Sequence, residues 1–247
     1  MNIGARMVYQ ADPDGYTLLA TPSGPLVLHL DTTSRETFEA SRFVPISMLW
    51  KSTYVLVANT EFPPSNVSEL IEFARKHPGK VSYASPGVGS VPHLFAEMLQ
   101  KRASIRLTHV PYKGLGLAMI DLLGGRVDLS TDNLGNTLPL VREGKVKAIG
   151  VMEENRIRQL PGVSTFAESF PQVHASGWGA MVAPPGTSPQ VAEKIASDLA
   201  TVLRLPEVVR RFDEFNAAPV NLSRSEAAAY INDERRRWHE VAAARAQ

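Results

Sequence analysis

The segment VSYASPGVGSVPHLFAEMLQK, residues 81–101, decides the fold class of this chain. Val81 to Ala84 predicts a strand, and Pro92 to Lys101 predicts a helix. The junction between them, Ser85 to Ser90, is rich in glycine and serine. Because a helix start exposes unpaired N–H groups and a partial positive charge, such a junction is suited to bind a carboxylate or a phosphate.

The same order of strand, polar junction and helix occurs twice more. Leu107 to Tyr112 predicts a strand before the junction Lys113 to Gly116, and Val127 to Thr131 predicts a strand before the junction Asp132 to Thr137. Strands that alternate with short helices indicate an α/β fold with a parallel sheet, in which ligands bind beyond the carboxyl ends of the strands. The three junctions therefore predict a surface that grips a small acid.

The chain before these units predicts a turn and two strands. Asp12 to Gly15 predicts the turn, and Tyr16 to Ala20 predicts a buried strand that runs into a polar loop, Thr21 to Gly24. Met48 to Ala58 predicts a strand long enough to cross from one lobe to another, so we place a hinge near Trp50.

The C-terminal third predicts a helical scaffold. One apolar helix face is predicted to consist of Val191, Ile195, Leu199 and Val202. The last helix is predicted to begin at a capping box, Ser223 to Glu226. Arg235 to Arg237 are flanked by acidic residues, which favours a solvated helix face over a phosphate or membrane patch.

Length and composition limit the function classes. The 247 residues, 44% of them hydrophobic, are enough for one large domain or two modest lobes. The 26 Lys and Arg residues nearly balance the 25 Asp and Glu residues, so we expect no nucleic-acid partner. The absence of cysteine excludes disulfides and thiolate catalysis. Met1 to Arg6 does not resemble an export signal, so the chain as written is expected to stay in the cytoplasm.

No sequence pattern indicates catalysis or a cofactor. The histidines lack the spacing of an HExxH metal site. Pro92 occupies the closing position of a serine-hydrolase elbow around Ser90. Gly87-x-Gly89 and Gly114-x-Gly116 each keep two of the three glycines of a dinucleotide fingerprint, and there is no Walker sequence. We therefore predict no enzyme activity, no metal and no cofactor.

Each candidate contact also has a structural alternative, and the sequence leaves both open. Ser85 and Ser90 are candidates for capping the next helix as well as for binding a ligand. His93 falls in the first helical turn, where a core or surface histidine is the commoner outcome. Asp132 either caps the next helix or accepts a ligand hydroxyl or ammonium, which would favour hydroxy acids or amino acids. Lys113 either neutralises a carboxylate or faces water.

The chain resembles the Bug receptors, the solute-binding proteins of tripartite tricarboxylate transporters. The similar segments occur in the expected order and are ADPDGYTLL at 11–19, PGKVSYASPGVGS at 78–90, THVPYKG at 108–114, DLLGG at 121–125, DNL at 132–134, WG at 178–179, APPGT at 183–187 and the closing helix with Trp238. The resemblance implies an α/β fold of the two-lobe periplasmic binding protein type II kind, with mixed or parallel sheets and a cleft at the hinge. It implies one lobe from 1–50 and 174–247, and a second lobe from 51–173.

The resemblance also implies a non-enzymatic, periplasmic receptor. Such a receptor captures a small carboxylate or amino acid as a monomer and delivers it to membrane permease subunits. A ligand-sensing module that signals to a membrane partner is the alternative, as is a truncated copy without function. By position, the implied ligand contacts are Thr21, Ser23, Gly24, Ser85, Gly87, Gly89, Ser90, His93, Lys113, Gly114, Gly116, Asp132 and Asn133.

The beginning of the chain departs from the family pattern. Family members start with a signal peptide and a strand–helix–strand unit of roughly 30 residues before the segment that matches Asn2-Ile3-Gly4. We therefore expect the first lobe to be incomplete and the true start codon to lie upstream of Met1.

Overall fold

The structure, a computed structural model, describes residues 2–27 and 38–243. The chain divides into two compact units. Unit 1 comprises Met1–Lys51 and Gly177–Gln247, and unit 2 comprises Ser52–Ser176. The long strand β2, Val44–Ala58, contributes residues to both units.

Unit 2 repeats a strand followed by a helix three times. These elements are β3 Val81–Ser85, α4 Val91–Ala103, β4 Leu107–Pro111, α5 Leu115–Leu123, β5 Leu129–Asn133 and α6 Leu134–Arg142. Helix α3, Val67–Lys76, precedes them, and β6, Lys147–Val151, follows. Strand β3 pairs in parallel with β4 and β5, and β2 pairs antiparallel with β5 and β6. The strand order is therefore β6-β2-β5-β3-β4, a mixed sheet, which confirms the predicted fold class.

Local signals in the sequence explain where the helices of unit 2 begin. The Asn66 side chain accepts a hydrogen bond from the Glu69 N–H at 3.0 Å and caps α3. The Ser90 side chain accepts one from the His93 N–H at 3.4 Å and caps α4. The buried core between the sheet and α5 and α6 is formed by Val55, Val57, Ala84, Ala118, Leu122, Val127, Leu134, Leu138, Val146 and Leu160.

Unit 1 combines short strands with the C-terminal helices. Its elements are α1 Asn2–Tyr9, β1 Leu19–Pro22, α2 Gly24–Val27, β7 Ser176–Ala183, α7 Pro189–Val202, α8 Pro206–Glu214, β8 Ala217–Pro219 and α9 Arg224–Ala243. The first residue of β7, Ser176, still belongs to unit 2. Strand β1 pairs antiparallel with β7, and β7 and β8 are both neighbours of β2.

Helix α9 is anchored at its start and along its buried side. Glu226 accepts a hydrogen bond from the Ser223 N–H at 2.8 Å, and Ser223 Oγ accepts one from the Glu226 N–H at 3.3 Å, which confirms the predicted capping box. The indole N–H groups of Trp178 and Trp238, both fully buried, each donate to Glu234 Oε2 at 3.0 Å. One carboxylate thus joins α9 to β7.

Three expectations about unit 1 are wrong in whole or in part. The predicted strand from Tyr16 begins only at Leu19, because the Tyr16 N–H donates to Asp14 Oδ1 at 2.9 Å and extends the turn, so that this tyrosine is 92% exposed. Helix α7 buries Ala192 and Ala196, and Ile195 and Leu199 of the predicted face pack against the same core, whereas Val202 is exposed.

The third error concerns the basic run in α9. Arg235 is not on a solvated face, because its guanidinium donates to the Leu26 carbonyl at 3.1 Å and to the Ala40 carbonyl at 3.2 Å. Arg236 is exposed and pairs with Asp233, as the sequence predicts. Among the described helices, none combines the length and the apolar character needed to cross a bilayer.

Candidate functional site

The three predicted junctions of unit 2 lie at one edge of its sheet. Ser85, the last residue of β3, pairs with Pro111, the last residue of β4, and β5 lies in parallel on the other side of β3. Because adjacent parallel strands end at the same edge, α4, α5 and α6 all begin there. We call this the N-terminal edge, because the three helices have their N-termini there, although the strands end there. It is defined by Ser85 to Ser90, Lys113 to Gly116, and Asp132 with Asn133.

The Ser85–Ser90 loop at this edge is held by hydrogen bonds to Gly87. The Gly87 N–H donates to Ser85 Oγ at 3.1 Å, and the Gly87 carbonyl accepts from Ser90 Oγ at 2.7 Å. Gly87 has a φ of +128° and Gly89 a φ of +78°, which other residues rarely adopt. Ser90 caps α4 as expected, but Ser85 does not, because its hydroxyl is fully buried within the loop.

Two stacked histidines lie directly beneath this loop. His93 is 1% exposed, and its Nδ1 accepts a hydrogen bond from the Gly89 N–H at 3.3 Å. The His109 ring lies 4.4 Å from that of His93, and its Nε2 lies 2.7 Å from Ser85 Oγ. The Tyr83 ring stacks on the other side of His109 at 4.8 Å. His93 is therefore a core residue that supports the loop.

The sequence prediction did not include His109 among the site residues. The available signal was the alternation of residues along two strands, since Tyr83 and His109 are register partners on β3 and β4. Sequence alone did not establish that β3 and β4 are neighbours in this register. Without that pairing, a histidine in the middle of a strand has no evident connection to the loop after Ser85.

Asp132 organises the start of α6 from a buried position. It is 3% exposed, and its Oδ1 accepts hydrogen bonds from the Asn133 N–H at 2.6 Å and from Asn136 Nδ2 at 3.0 Å. Burial raises the pKa of this carboxyl, while the hydrogen bonds from Asn136 and Asn133 act in the opposite direction. The predicted junction up to Thr137 contains no loop, because β5 ends at Asn133 and α6 begins at Leu134.

Asn133 connects the edge to β2. Its Oδ1 accepts a hydrogen bond from Ser52 Oγ at 2.8 Å, and its side chain makes no capping bond to α6. Tyr54 is the register partner of Asn133, and burial, with a smaller contribution from the Asp132 charge, raises the pKa of Tyr54 to about 12. Ser52 and Tyr54 were not predicted, because nothing in the sequence signals an antiparallel pairing across about 80 residues.

The start of α5 has little side-chain cover. Gly114 precedes the helix with a φ of +134° and provides no side-chain cap. Gly116 lies in the first turn, where an added Cβ would meet no atom within 4 Å. Lys113 is exposed beside it. A helix start without a side-chain cap is suited to bind an anion.

The candidate residues Thr21, Ser23 and Gly24 belong to unit 1. The predicted loop is instead the end of β1 followed by the short helix α2. Thr21 is buried, and its hydroxyl donates to the Pro22 carbonyl at 3.1 Å. The Ser23 carbonyl accepts from the Leu26 and Val27 N–H groups and starts α2. The role of these three residues as ligand contacts stays a prediction.

The N-terminal edge offers hydrogen-bond donors and no catalytic arrangement. Ser85 and His109 form a serine–histidine pair, but the Ser85 hydroxyl is fully buried and already bonded to Gly87. Within 2–27 and 38–243, no cluster of three His, Asp or Glu side chains could hold a metal ion, and His29 lies outside these residues. Backbone N–H groups and small hydroxyls at helix starts are suited to bind an anion.

Comparison with known proteins gives a consistent result over the whole chain. Residues 1–246 match the family described as tripartite tricarboxylate transporter family receptor. BugT of Bordetella pertussis is 33% identical over 239 residues, which cover 96% of this chain and 73% of BugT.

Two solved structures with bound dicarboxylates are also similar. MatC from Rhodopseudomonas palustris, solved with malate, is 27% identical, with a TM-score of 0.86 over 97% of this chain and 83% of that protein. An R. palustris protein solved with adipate is 28% identical, with a TM-score of 0.88 over 98% of this chain and 81% of that protein. These matches confirm the predicted family and fold class, and the prediction that the chain is not an enzyme. The chain belongs to the tripartite tricarboxylate transporter receptor family, whose members are solute-binding receptors.

Proposed function

We propose that this chain is a periplasmic receptor that binds a small dicarboxylate at the N-terminal edge of unit 2. The observation that carries the proposal is the start of three helices, α4, α5 and α6, at one edge of one parallel set of strands. Each start presents backbone N–H groups and a partial positive charge. Three such helix starts together are suited to bind a ligand that carries more than one carboxylate group.

The ligand class is supported by two related proteins. The similar structures were solved with malate and with adipate, which are both dicarboxylates of small size. Malate carries a hydroxyl and adipate does not. A comparison of the affinities of this chain for malate and adipate therefore also tests the prediction that Asp132 favours hydroxy acids. The receptor would then deliver the bound acid to the membrane permease subunits of a tripartite transporter, as the family implies.

The open start of α5 is proposed to take part of the ligand directly. The first turn there has an exposed glycine, Gly116, and an exposed cation, Lys113. This start has no side-chain cap, so its backbone N–H groups are proposed to be available to a carboxylate. Since Lys+Arg exceed Asp+Glu by only one over the whole chain, the attraction for an anion has to come from such local groups.

Thermal unfolding with a panel of acids tests the binding proposal. The panel contains malate, adipate, citrate, aspartate and benzoate, each added to the intact chain. A ligand at a hundred times its dissociation constant adds about 2.7 kcal/mol of stability. We expect malate or adipate to raise the midpoint. If no dicarboxylate raises it while the chain unfolds cooperatively, the proposal is wrong.

A pair of variants at one position tests the location of the site. Gly116→Asp places a negative charge at the start of α5, where a carboxylate ligand is proposed to bind, and Gly116→Asn has the same shape without the charge. The aspartate should weaken dicarboxylate binding at least about tenfold and the asparagine much less, because repulsion between like charges adds to lost access. Neither should destabilise the fold, since the position has free space and an acidic residue favours a helix start. Equal affinities in both variants would place the ligand elsewhere.

A further inference from the structure

We infer that His93 and His109 are positioning residues for the Ser85–Ser90 loop, and that protonation of His93 releases this loop and weakens ligand binding. The binding part of this inference rests on the proposed function. The loop part rests on the contacts of the two histidines alone. His93 is buried beneath the loop and His109 contacts the loop through Ser85, so we infer that both act on a ligand through the loop.

The hydrogen bond from Gly89 fixes the protonation state of His93. The Gly89 N–H donates to His93 Nδ1 at 3.3 Å, so this nitrogen carries a lone pair and no proton. The neutral ring then carries its proton on Nε2, which lies 3.8 Å from Glu97 Oε1. A second proton on the ring would have to occupy Nδ1, where it would face the Gly89 N–H. Protonation therefore replaces an attraction by a repulsion at the loop.

His109 holds the other end of the same loop. Its Nε2 lies 2.7 Å from Ser85 Oγ, the hydroxyl that also accepts from the Gly87 N–H. The two histidines thus support the loop at Ser85 and at Gly89, the residues that directly flank the Pro86–Val88 segment. Gly87 and Gly89 have positive φ values, which restrict the conformation of the loop. The hydrogen bonds from Gly87 to Ser85 and from Gly89 to His93 therefore determine the direction of the loop N–H groups.

The charges around His93 determine the sign of the effect. Glu97 on the same helix lies beside Nε2, His109 on β4 stacks on the ring, and Tyr83 on β3 stacks behind His109. The negative charge of Glu97 would offset the positive charge of a protonated His93, so protonation adds little attraction for an anionic ligand. The lost Gly89 bond then dominates, and affinity falls on acidification. Because the His109 ring stacks on His93, a positive charge on one of the two rings disfavours a positive charge on the other.

The first experiment measures adipate and malate binding between about pH 8 and about pH 5.5, on either side of the ordinary histidine pKa of about 6.5. Asn Oδ1 can take the place of His93 Nδ1 as an acceptor but cannot be protonated. We expect wild-type affinity to fall about threefold to tenfold relative to His93→Asn as the pH decreases, which is the effect of about one hydrogen bond. The ratio of the two proteins cancels the titration of the ligand itself. A constant ratio would overturn the inference.

Two further variants separate protonation from a general structural role. Glu97→Gln removes the compensating charge, so the midpoint of the wild-type profile should move to lower pH. His77→Asn is the matched control, because His77 is exposed at the end of α3 and should leave the profile unchanged. A midpoint that Glu97→Gln does not move, or one that His77→Asn does move, would contradict the role of His93.

A measurement without ligand keeps this inference separate from the proposed function. Hydrogen exchange of the Gly89 amide, compared between wild type and His93→Asn, reports the loop bond directly. We expect protection of this amide in wild type to decrease on acidification and protection in His93→Asn to stay constant. If adipate and malate fail to bind, the proposed function is wrong. Equal exchange behaviour of Gly89 in both proteins would overturn the loop inference whatever binds.

Discussion

Asp132 combines a charge with burial at the edge where the ligand is proposed to bind. Its pKa is raised chiefly by burial, so the folded state takes up a proton more readily than the unfolded chain does. Stability from this group is therefore present at low pH and is lost as the pH rises through its folded pKa. A neutral side chain of the same shape should avoid this loss.

We accordingly predict that Asp132→Asn raises the free energy of unfolding at pH 7. The asparagine Oδ1 can accept the same two hydrogen bonds, from the Asn133 N–H and from Asn136. The difference from wild type should shrink on acidification, because the wild-type carboxyl then becomes neutral as well. Urea unfolding at pH 7 and at about pH 4 measures both effects.

The control for this prediction is an exposed aspartate. Asp198 pairs with Lys194 on the surface of α7, so Asp198→Asn should change stability by no more than about 0.5 kcal/mol. If Asp132→Asn were clearly less stable than wild type at pH 7, the hydrogen bonds to the charged form would outweigh the burial of that charge.

Single residues also show where sequence analysis reaches its limit. The need for glycine at Gly87 was predictable, because a glycine-rich turn before a helix commonly has positive φ. The need for Gly179 has another cause, since an added Cβ would lie 2.0 Å from the Trp50 ring. That contact joins residues about 130 positions apart. No local pattern encodes it, and the same holds for the contact of His109 with Ser85.

Helix α9 shows how one half-buried cation can fix an element. Arg235 donates to the Leu26 and Ala40 carbonyls, and both of these residues are buried. Arg235→Ala would leave these carbonyls without their charged donor, so we predict a loss of about 2–3 kcal/mol in the free energy of unfolding. Its neighbour provides the control, because Arg236→Ala removes an exposed pair with Asp233 and should cost no more than about 0.5 kcal/mol.

The readout for the Arg235 prediction follows from the position of the tryptophans. All three, Trp50, Trp178 and Trp238, belong to unit 1, as α9 does. Tryptophan fluorescence during urea unfolding therefore reports the unit that Arg235 stabilises, and circular dichroism reports both units. Similar losses for Arg235→Ala and Arg236→Ala would show that the buried contacts contribute little.

At the level of elements, the sequence predicted the type and order of the strands and helices better than the residues at which they begin and end. The strands and helices of unit 2 were predicted in their correct order, and two of the helices, α3 and α4, have a clear start signal in Asn66 and Ser90. The ends shifted where a neighbouring turn competed, as at Tyr16, or where a strand continued directly into a helix, as at Asn133. Pairing between strands was not predictable in register, because it depends on contacts far apart in the chain.

Across the whole molecule, both units contain exposed carboxylates that favour the folded state at neutral pH. The bidentate hydrogen bonds of Arg156, at 2.7 and 2.8 Å, with the Thr165 N–H, lower the pKa of Glu168 in unit 2 from 4.5 to about 2. Ser223 lowers the pKa of Glu226 in unit 1, and the Tyr112 hydroxyl, with Arg126, lowers that of Asp121 in unit 2. Asp132 acts in the opposite direction, but it is one group against three.

Each lowered pKa ties stability to pH with a definite sign. A carboxyl whose folded pKa lies below its unfolded value stabilises the fold above the unfolded value and loses that contribution as the pH falls through the folded pKa. For Glu168 this window runs from 4.5 down to about 2. We therefore predict that urea unfolding midpoints decrease steadily below about pH 4.5, and that unit 1 and unit 2 both take part because Glu226 and Glu168 lie in different units.

The Arg156–Glu168 pair gives this prediction a specific test. Arg156→Gln removes the main cause of the low Glu168 pKa, so the variant should be less stable than wild type at pH 7 and the two should approach each other as the pH falls toward about 2. Lys194→Gln, which breaks an exposed pair within α7, is the control and should follow the wild-type profile closely. Urea midpoints at about pH 7, 4.5 and 3 are sufficient, since they lie above, at and within the window. An Arg156→Gln curve that runs parallel to wild type over this range would mean that the pair contributes no pH dependence. The acid sensitivity of the molecule would then have to arise from other carboxylates, such as Glu226 and Asp121.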